Sequence, residues 1–163
     1  AATNAIYYNG ADNGFVINNT ISISGSNGIN LDSGASNNQI INNTINSDSY
    51  AVRLATAGAN NDVIGNTISC SDAYSYALSL TNTNLADIKY NIINAEGDGA
   101  IYLSSSDRNN VESNNLTADE ETITLANTAE GNIIINNNIS ASTSLIIKDS
   151  SSPVNYLIYN NSF

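Results

Sequence analysis

The sequence predicts an all-β fold, a parallel β-solenoid in which one chain winds into about seven coils of about 23 residues. Three observations predict it. The phrase NNTI at 18–21 and 42–45 returns as GNTI, YNII, SNNL, NNNI and NNSF. It places an asparagine at 19, 43, 66, 91, 114, 137 and 161, spaced 24, 23, 25, 23, 23 and 24 residues apart. Each of these asparagines follows a β-branched apolar residue by three positions and precedes another apolar residue by two. A second phrase, I-x-L, fills the interval between anchors at a similar period.

Each coil opens on the I-x-L phrase, read as Ile6/Tyr8, Ile29/Leu31, Val52/Leu54, Leu78/Leu80, Ile101/Leu103, Ile123/Leu125 and Ile146/Lys148. The residue between varies: Tyr7, Asn30, Arg53, Ser79, Tyr102, Thr124 and Ile147. This is strand alternation, with the apolar pair inward and the variable residue toward water. A mostly small column (Ala5, Gly28, Ala51, Ala77, Ala100, Thr122, Leu145) precedes the pair. The next strand carries Val16, Ile40, Val63, Ile88, Val111, Ile134 or Ile158. The anchor asparagine follows. It is expected to turn the corner through left-handed backbone and to bond its amide to the next coil's amide. The third strand holds Ile21, Ile45, Ile68, Ile93, Leu116, Ile139 or Phe163, and Gly/Ser/Asn/Asp turns close the coil. One turn is enlarged, CSDAYSY at 70–76.

Strands of three or four residues are too short to survive as isolated hairpins. No stretch carries the 3.6 period of a helical solenoid. Leucine-rich repeats would need a partner segment that is missing, and a β-sandwich leaves the matched spacings unexplained. Although 31 of the 163 residues are Asn, 22 are Ile and 41% are apolar, so the chain has the core-forming residues that disordered tracts lack. A turn near 23 residues fits one circuit of a three-sided coil. Seven coils at about 4.8 Å make a rod about 34 Å long. The whole of 1–163 reads as one domain.

Composition excludes several chemistries. With no His and one Cys, neither a His/Cys zinc site nor a Ser-His-Asp or Cys-His arrangement can be assembled. A net charge of −11 with four scattered cations offers no nucleic-acid-binding face. No apolar run is long enough to span a membrane as a helix.

The repeated (V/I)-x-x-N-x-(I/L) coil, with its G/A-I-x-L partner, resembles the parallel β-helix repeat of the pectate-lyase-like superfamily from Ile6 to Phe163. A nearer likeness is to the Asn-rich, adhesin-like coils of archaeal and bacterial surface proteins and of periplasmic carbohydrate-binding and hydrolase β-helix modules. The resemblance implies a right-handed coil, and a structural ladder formed by Asn19, Asn43, Asn66, Asn91, Asn114, Asn137 and Asn161. It also brings polysaccharide lyases, polygalacturonases and uronate epimerases into consideration. A hydrolase of this kind needs carboxylates converging on one face, and a lyase needs acids for calcium plus a base. The acids here do not align in adjacent coils, and the densest group, Asp119, Glu120 and Glu121, reads as a solvated turn. No catalytic residue, metal or cofactor is expected.

Tyr50, Tyr74 and Tyr76 gather near the enlarged turn and are the candidate sugar contacts, since carbohydrates favour aromatic platforms and long turns on rigid scaffolds carry binding. Cys70 falls in a small inward column with Ile23, Ser47, Ala95, Ala118 and Ala141, which makes it a buried hydrophobe. N-x-S/T acceptors occur at Asn18, Asn42, Asn115, Asn138 and Asn160, three of them just before the ladder and facing outward. The repeat begins near Ala1 and reaches Phe163 in mid-coil. The rod is therefore expected to meet neighbouring coils of a longer solenoid or copies of itself, in a heterologous contact that makes a filament. Together these readings predict a non-enzymatic structural protein of a cell surface or extracellular filament. The alternative is a carbohydrate-binding or carbohydrate-active module.

Overall fold

The computed structural model describes residues 4–143, 147–149 (backbone only) and 155–163. Every coil visits three sheets in turn. Among the described residues, sheet A contains Asn4–Asn9, Asn27–Asp32, Val52–Ala55, Tyr76–Thr81, Gly99–Ser104, Glu121–Ala126 and Ile147–Asp149. Sheet B contains Phe15–Ile17, Gln39–Ile41, Asp62–Ile64, Asp87–Lys89, Asn110–Glu112, Ile133–Ile135 and Leu157–Tyr159. Sheet C contains Thr20–Ile23, Thr44–Ser47, Thr67–Cys70, Ile92–Ala95, Asn115–Ala118 and Asn138–Ala141. Each strand pairs in parallel with its counterpart one coil on, so the three-sided coil predicted by the repeat is the fold.

The registers reproduce the columns read from sequence. Ile29, Val52, Leu78, Ile101 and Ile123 stack in sheet A, as do Leu31, Leu54, Leu80, Leu103 and Leu125. The interior is one continuous cluster that also takes Ile40, Val63, Ile88 and Val111 from sheet B and Ile45, Ile68, Ile93 and Leu116 from sheet C. Burying such a side chain contributes about 1.5–3 kcal/mol, and the stacked copies supply the main stabilisation. The small column has a steric cause. A Cβ at Gly28 would lie 2.4 Å from the Ala51 carbonyl oxygen and 2.7 Å from Ile45 Cγ2.

The last coil departs from the sequence alignment by one residue. Ile147 and Asp149, not Ile146 and Lys148, pair with Ile123 and Leu125. Two successive isoleucines follow a turn of variable length there, so the apolar pattern alone could not fix the register. Leu145 and Ile146 lie outside the described residues.

The corners correct a second expectation. The ladder asparagines do not supply the left-handed backbone; the residue just before each one does. Asn18, Asn42, Gly65, Tyr90, Ser113, Asn136 and Asn160 all have φ between 53° and 68°. Two further left-handed columns stand in the connection from sheet A to sheet B, one just before each sheet-B strand and one directly after the sheet-A strands. One is Asn13, Asn37, Asn60, Leu85, Arg108, Gly131 and Asn155; the other is Gly10, Ser33, Thr56, Asn82, Ser105 and Asn127. Asn and Gly dominate because they tolerate this region at least cost.

That division frees the ladder amide for bonding. The Asn43 backbone N–H donates to Asn66 Oδ1 at 2.8 Å, and Asn43 Nδ2 donates to the same oxygen at 3.0 Å and to the Val16 carbonyl one coil back at 2.7 Å. The pattern repeats through Asn66, Asn91, Asn114, Asn137 and Asn161. From Asn43 to Asn137 these side chains are buried, so each amide is satisfied by the coils on either side of it.

A second interior ladder was not anticipated. Asn38 donates to Asn61 Oδ1 and Asn109 donates to Asn132 Oδ1, each through both its backbone N–H and its Nδ2. Ala86 interrupts the column. Its backbone N–H still donates to Asn109 Oδ1 at 2.9 Å, while the side-chain bonds of the column are lost at this coil. The sequence carries the signal as an Asn two residues before the sheet-B apolar residue, and each such Asn follows a left-handed residue exactly as in the first ladder.

Candidate functional site

With the interior committed to packing, chemistry is left to the outer faces. Sheet A is expected to show its variable column to water, yet Asn30, Ser79 and Thr124 are buried. Tyrosines and an arginine cover the face. Tyr76 leans across Gly99, where a Cβ would approach its ring to 2.6 Å, and stacks on Tyr102 with centroids 4.7 Å apart. Its hydroxyl bonds to Thr124 Oγ1 at 3.1 Å, two coils on. Burial pushes the Tyr76 phenol up to about 12, so it stays neutral and serves as a hydrogen-bonding platform. One coil back, the Arg53 guanidinium stands over the Tyr50 ring at 5.9 Å from its centroid. Asn30, beside Arg53 in the column, is only 5% exposed, and its Oδ1 has no partner within the protein.

The three tyrosines grouped by sequence occupy two kinds of position. Tyr50 and Tyr74 lie in turns that lead into sheet A, whereas Tyr76 opens a sheet-A strand and lies against the sheet. Tyr74, at 83% exposure, projects into solvent. Tyr102 and Arg53 belong to the same surface and were legible as an outward column.

A groove of about 520 Å³ runs along sheet C between the column Ser22, Asn46, Ser69, Asn94 and a ledge of turn residues that includes Asp48 and Glu96. The Ser24 hydroxyl donates to Asp48 at 2.8 Å, and the Gly25 N–H donates to its other oxygen. These two bonds hold the Asp48 carboxyl below the usual range. Other acids staple turns in the same manner. Asp12 accepts from the Ser36 N–H, Asp107 from the Glu130 N–H, and Asp72 from Ser75 Oγ and the Tyr74 N–H. Among the described residues, no group of three or more His, Cys, Asp or Glu side chains is placed to hold a metal ion.

Cys70 is buried, its thiol donates to the Ser49 carbonyl, and burial pushes the thiol up. A raised thiol is a poor nucleophile, which fits the packing role read from its column. The five acceptor asparagines, Asn18, Asn42, Asn115, Asn138 and Asn160, are all exposed. Asn18, Asn42 and Asn160 occupy left-handed corner positions, while Asn138 donates to Asn115 Oδ1 at 2.9 Å along the sheet-C face. Among the described residues no helix is long and apolar enough to cross a membrane.

Three parallel sheets wound around an interior of stacked apolar residues and amide ladders define a parallel β-helix. The chain belongs to the right-handed β-helix family, whose model, described as a right handed beta helix region, matches residues 4–163. Neither the curated proteins nor the solved structures return a match.

Proposed function

We propose that the chain is a non-enzymatic structural segment of a cell-surface or extracellular assembly, a rod whose partners are neighbouring coils or further copies of itself. The observation that carries this reading is the pair of axial amide ladders. They direct the buried polar groups to the junctions between coils, so each coil is completed by the next. A further coil carrying asparagine in these columns, from the same polypeptide or a second copy, would join by the same bonds. The exposed acceptor asparagines are consistent with a glycosylated exterior. The test is electron microscopy of the purified chain together with polysaccharide affinity electrophoresis. Fibres or laterally associated rods that retain no polysaccharide support the structural role. A strictly monomeric chain that binds or cleaves a polysaccharide overturns it.

The second reading, a carbohydrate-binding module, is favoured by the sheet-A surface. There, flat tyrosine rings and a guanidinium lie along one face, elements from which sugar platforms are built. Under that reading Tyr76→Ala and Arg53→Ala reduce retardation by the bound polysaccharide about tenfold or more, measured by affinity electrophoresis.

A further inference from the structure

The junctions between coils are unequal, and the weak points gather at one of them. The third coil (Val52–Ala55, Asp62–Ile64 and Thr67–Cys70) meets the fourth (Tyr76–Thr81, Asp87–Lys89 and Ile92–Ala95) through the same three sheets as its neighbours do. The second ladder fails there. One junction earlier, Asn38 gives its N–H and Nδ2 to Asn61 Oδ1, and Asn61 Nδ2 reaches back to the Ala35 carbonyl. Asn109 and Asn132 make the same three bonds between the fifth and sixth coils. Where Gly14 or Ala86 is the donor coil, its backbone N–H still meets the next asparagine, whose Nδ2 reaches back to a carbonyl. Between the third and fourth coils the ladder gives nothing, because Ala86 has no Oδ1 for the Asn61 N–H and no Nδ2 to reach back. The Thr83 hydroxyl does cross to the Leu54 carbonyl at 3.1 Å, on the sheet-A side of this corner.

Further observations fall on the same junction. Asp62 and Asp87 stand in register across it, and among the described residues they are the one like-charge pair on the outer face of sheet B. Their column continues to uncharged Gln39 on one side and Asn110 on the other. Lys89 pairs with Asp87 and Glu112, away from Asp62. The corner residue of the fourth coil is Leu85, held at φ 58°. The Asn60 N–H reaches the Asn84 carbonyl at 3.3 Å, against 2.8–3.1 Å for the equivalent bonds of Asn13, Asn37, Leu85 and Arg108. The covalent link between the two coils is the enlarged turn at 70–76. The opposite edge is intact. There the Asn66 N–H and Nδ2 donate to Asn91 Oδ1 at 2.8 and 3.1 Å, and Asn91 Nδ2 donates to the Val63 carbonyl at 2.8 Å.

We propose that the junction between the third and fourth coils is a built-in joint, which opens along its edge between sheets A and B ahead of the rest of the rod and keeps the first ladder as its hinge. The coils on either side then move as two stiff arms. A solenoid is held together interface by interface, so weakness concentrated at one interface sets where it yields. A rod in an extended assembly can then bend at a fixed place while the coils on both sides stay folded. This goes beyond the structural reading above and does not depend on it.

The test is amide hydrogen exchange of the whole chain at pH 7, resolved by nuclear magnetic resonance and corrected for intrinsic rates. It compares amides that hold the same place at different junctions. The Asn60 N–H spans the joint, while those of Asn37 and Arg108 span the second–third and fifth–sixth junctions. Asn60 is expected to exchange about tenfold or more faster than either. The hinge amide of Asn66 stays as protected as those of Asn43 and Asn114. Ala86→Asn, which returns the missing amide, and Asp62→Asn, which removes the like-charge pair, each slow Asn60 about threefold or more and leave Asn37 and Arg108 unchanged. Ser113→Asn, at a left-handed corner outside the joint, leaves the ratio of Asn60 to Asn37 as it was. Circular dichroism verifies folding, and Asp62→Asn carries the test alone if Ala86→Asn does not fold. Equal exchange of the three corner amides, an Asn66 amide as fast as Asn60, or no slowing in any folded variant overturns the proposal. Equal exchange in a chain that forms fibres removes the joint and leaves the structural reading standing.

Discussion

A ladder asparagine and the left-handed residue before it do different work, and substitutions should separate them. Leu85 stands at a left-handed corner with φ 58° and no side-chain hydrogen bond to offset the clash of its Cβ. Leu85→Asn is expected to stabilise the fold by about 1 kcal/mol, seen as a higher midpoint in denaturant unfolding with an unchanged slope. Asn66→Ala acts in the opposite direction. It removes the acceptor of the Asn43 N–H and Nδ2, and the donor to the Ile40 carbonyl, all buried. The expected loss is about 2–4 kcal/mol by the same measurement, since buried donors and acceptors are left without partners. At this scale the first ladder was legible because its asparagines sit in a fixed phrase. The second was not, because Gly14 and Ala86 break its column and its asparagines merge with the Asn-rich corners preceding them.

At the scale of a strand and its neighbours, the outward positions of sheet B stack like charges. Asp62 pairs in register with Asp87 of the next coil, which corrects the expectation that no acids align in adjacent coils, and the Asp62 carboxyl is pushed up, first by burial and then by the Asp87 charge. A carboxyl with a raised folded pKa favours the native state when protonated. Stability therefore falls as pH rises from below the ordinary value of 3.8 through the raised one, and the deficit persists at neutral pH. Asp62→Asn is expected to raise Tm at pH 7, with the advantage over the parent shrinking to nothing below about pH 4. An equal shift at both pH values would mean that the charge is not the cause. For Lys89, burial alone would lower the ammonium's pKa, but the hydrogen bond to Asp87 and the charges of Asp87 and Glu112 outweigh it, so the cation persists in the middle of the face. Strand alternation in the sequence correctly separated inward from outward residues. It could not show that Tyr76 reaches along the sheet to stack on Tyr102 and bond to Thr124, because whether an outward side chain lies flat or extends depends on neighbours one and two coils away.

For the whole molecule the governing quantity is the net charge of −11 carried by each copy. Two such rods treated as point charges about 25 Å apart repel by about 20 kcal/mol in unscreened water. A Debye length of about 10 Å at 0.1 M salt cuts that roughly tenfold. Charge pairs across a contact between exposed faces contribute at most about 1 kcal/mol each, so their loss to screening is the smaller effect. Repulsion is relieved faster than attraction, and self-association is expected to strengthen as salt rises from about 0.01 to 0.3 M. Lowering pH toward the pI of 4.1 should act in the same direction by neutralising the acids. Sedimentation equilibrium across a salt series measures this directly. Association that instead weakens on adding salt would assign its cohesion to charge pairs between rods rather than to apolar contact.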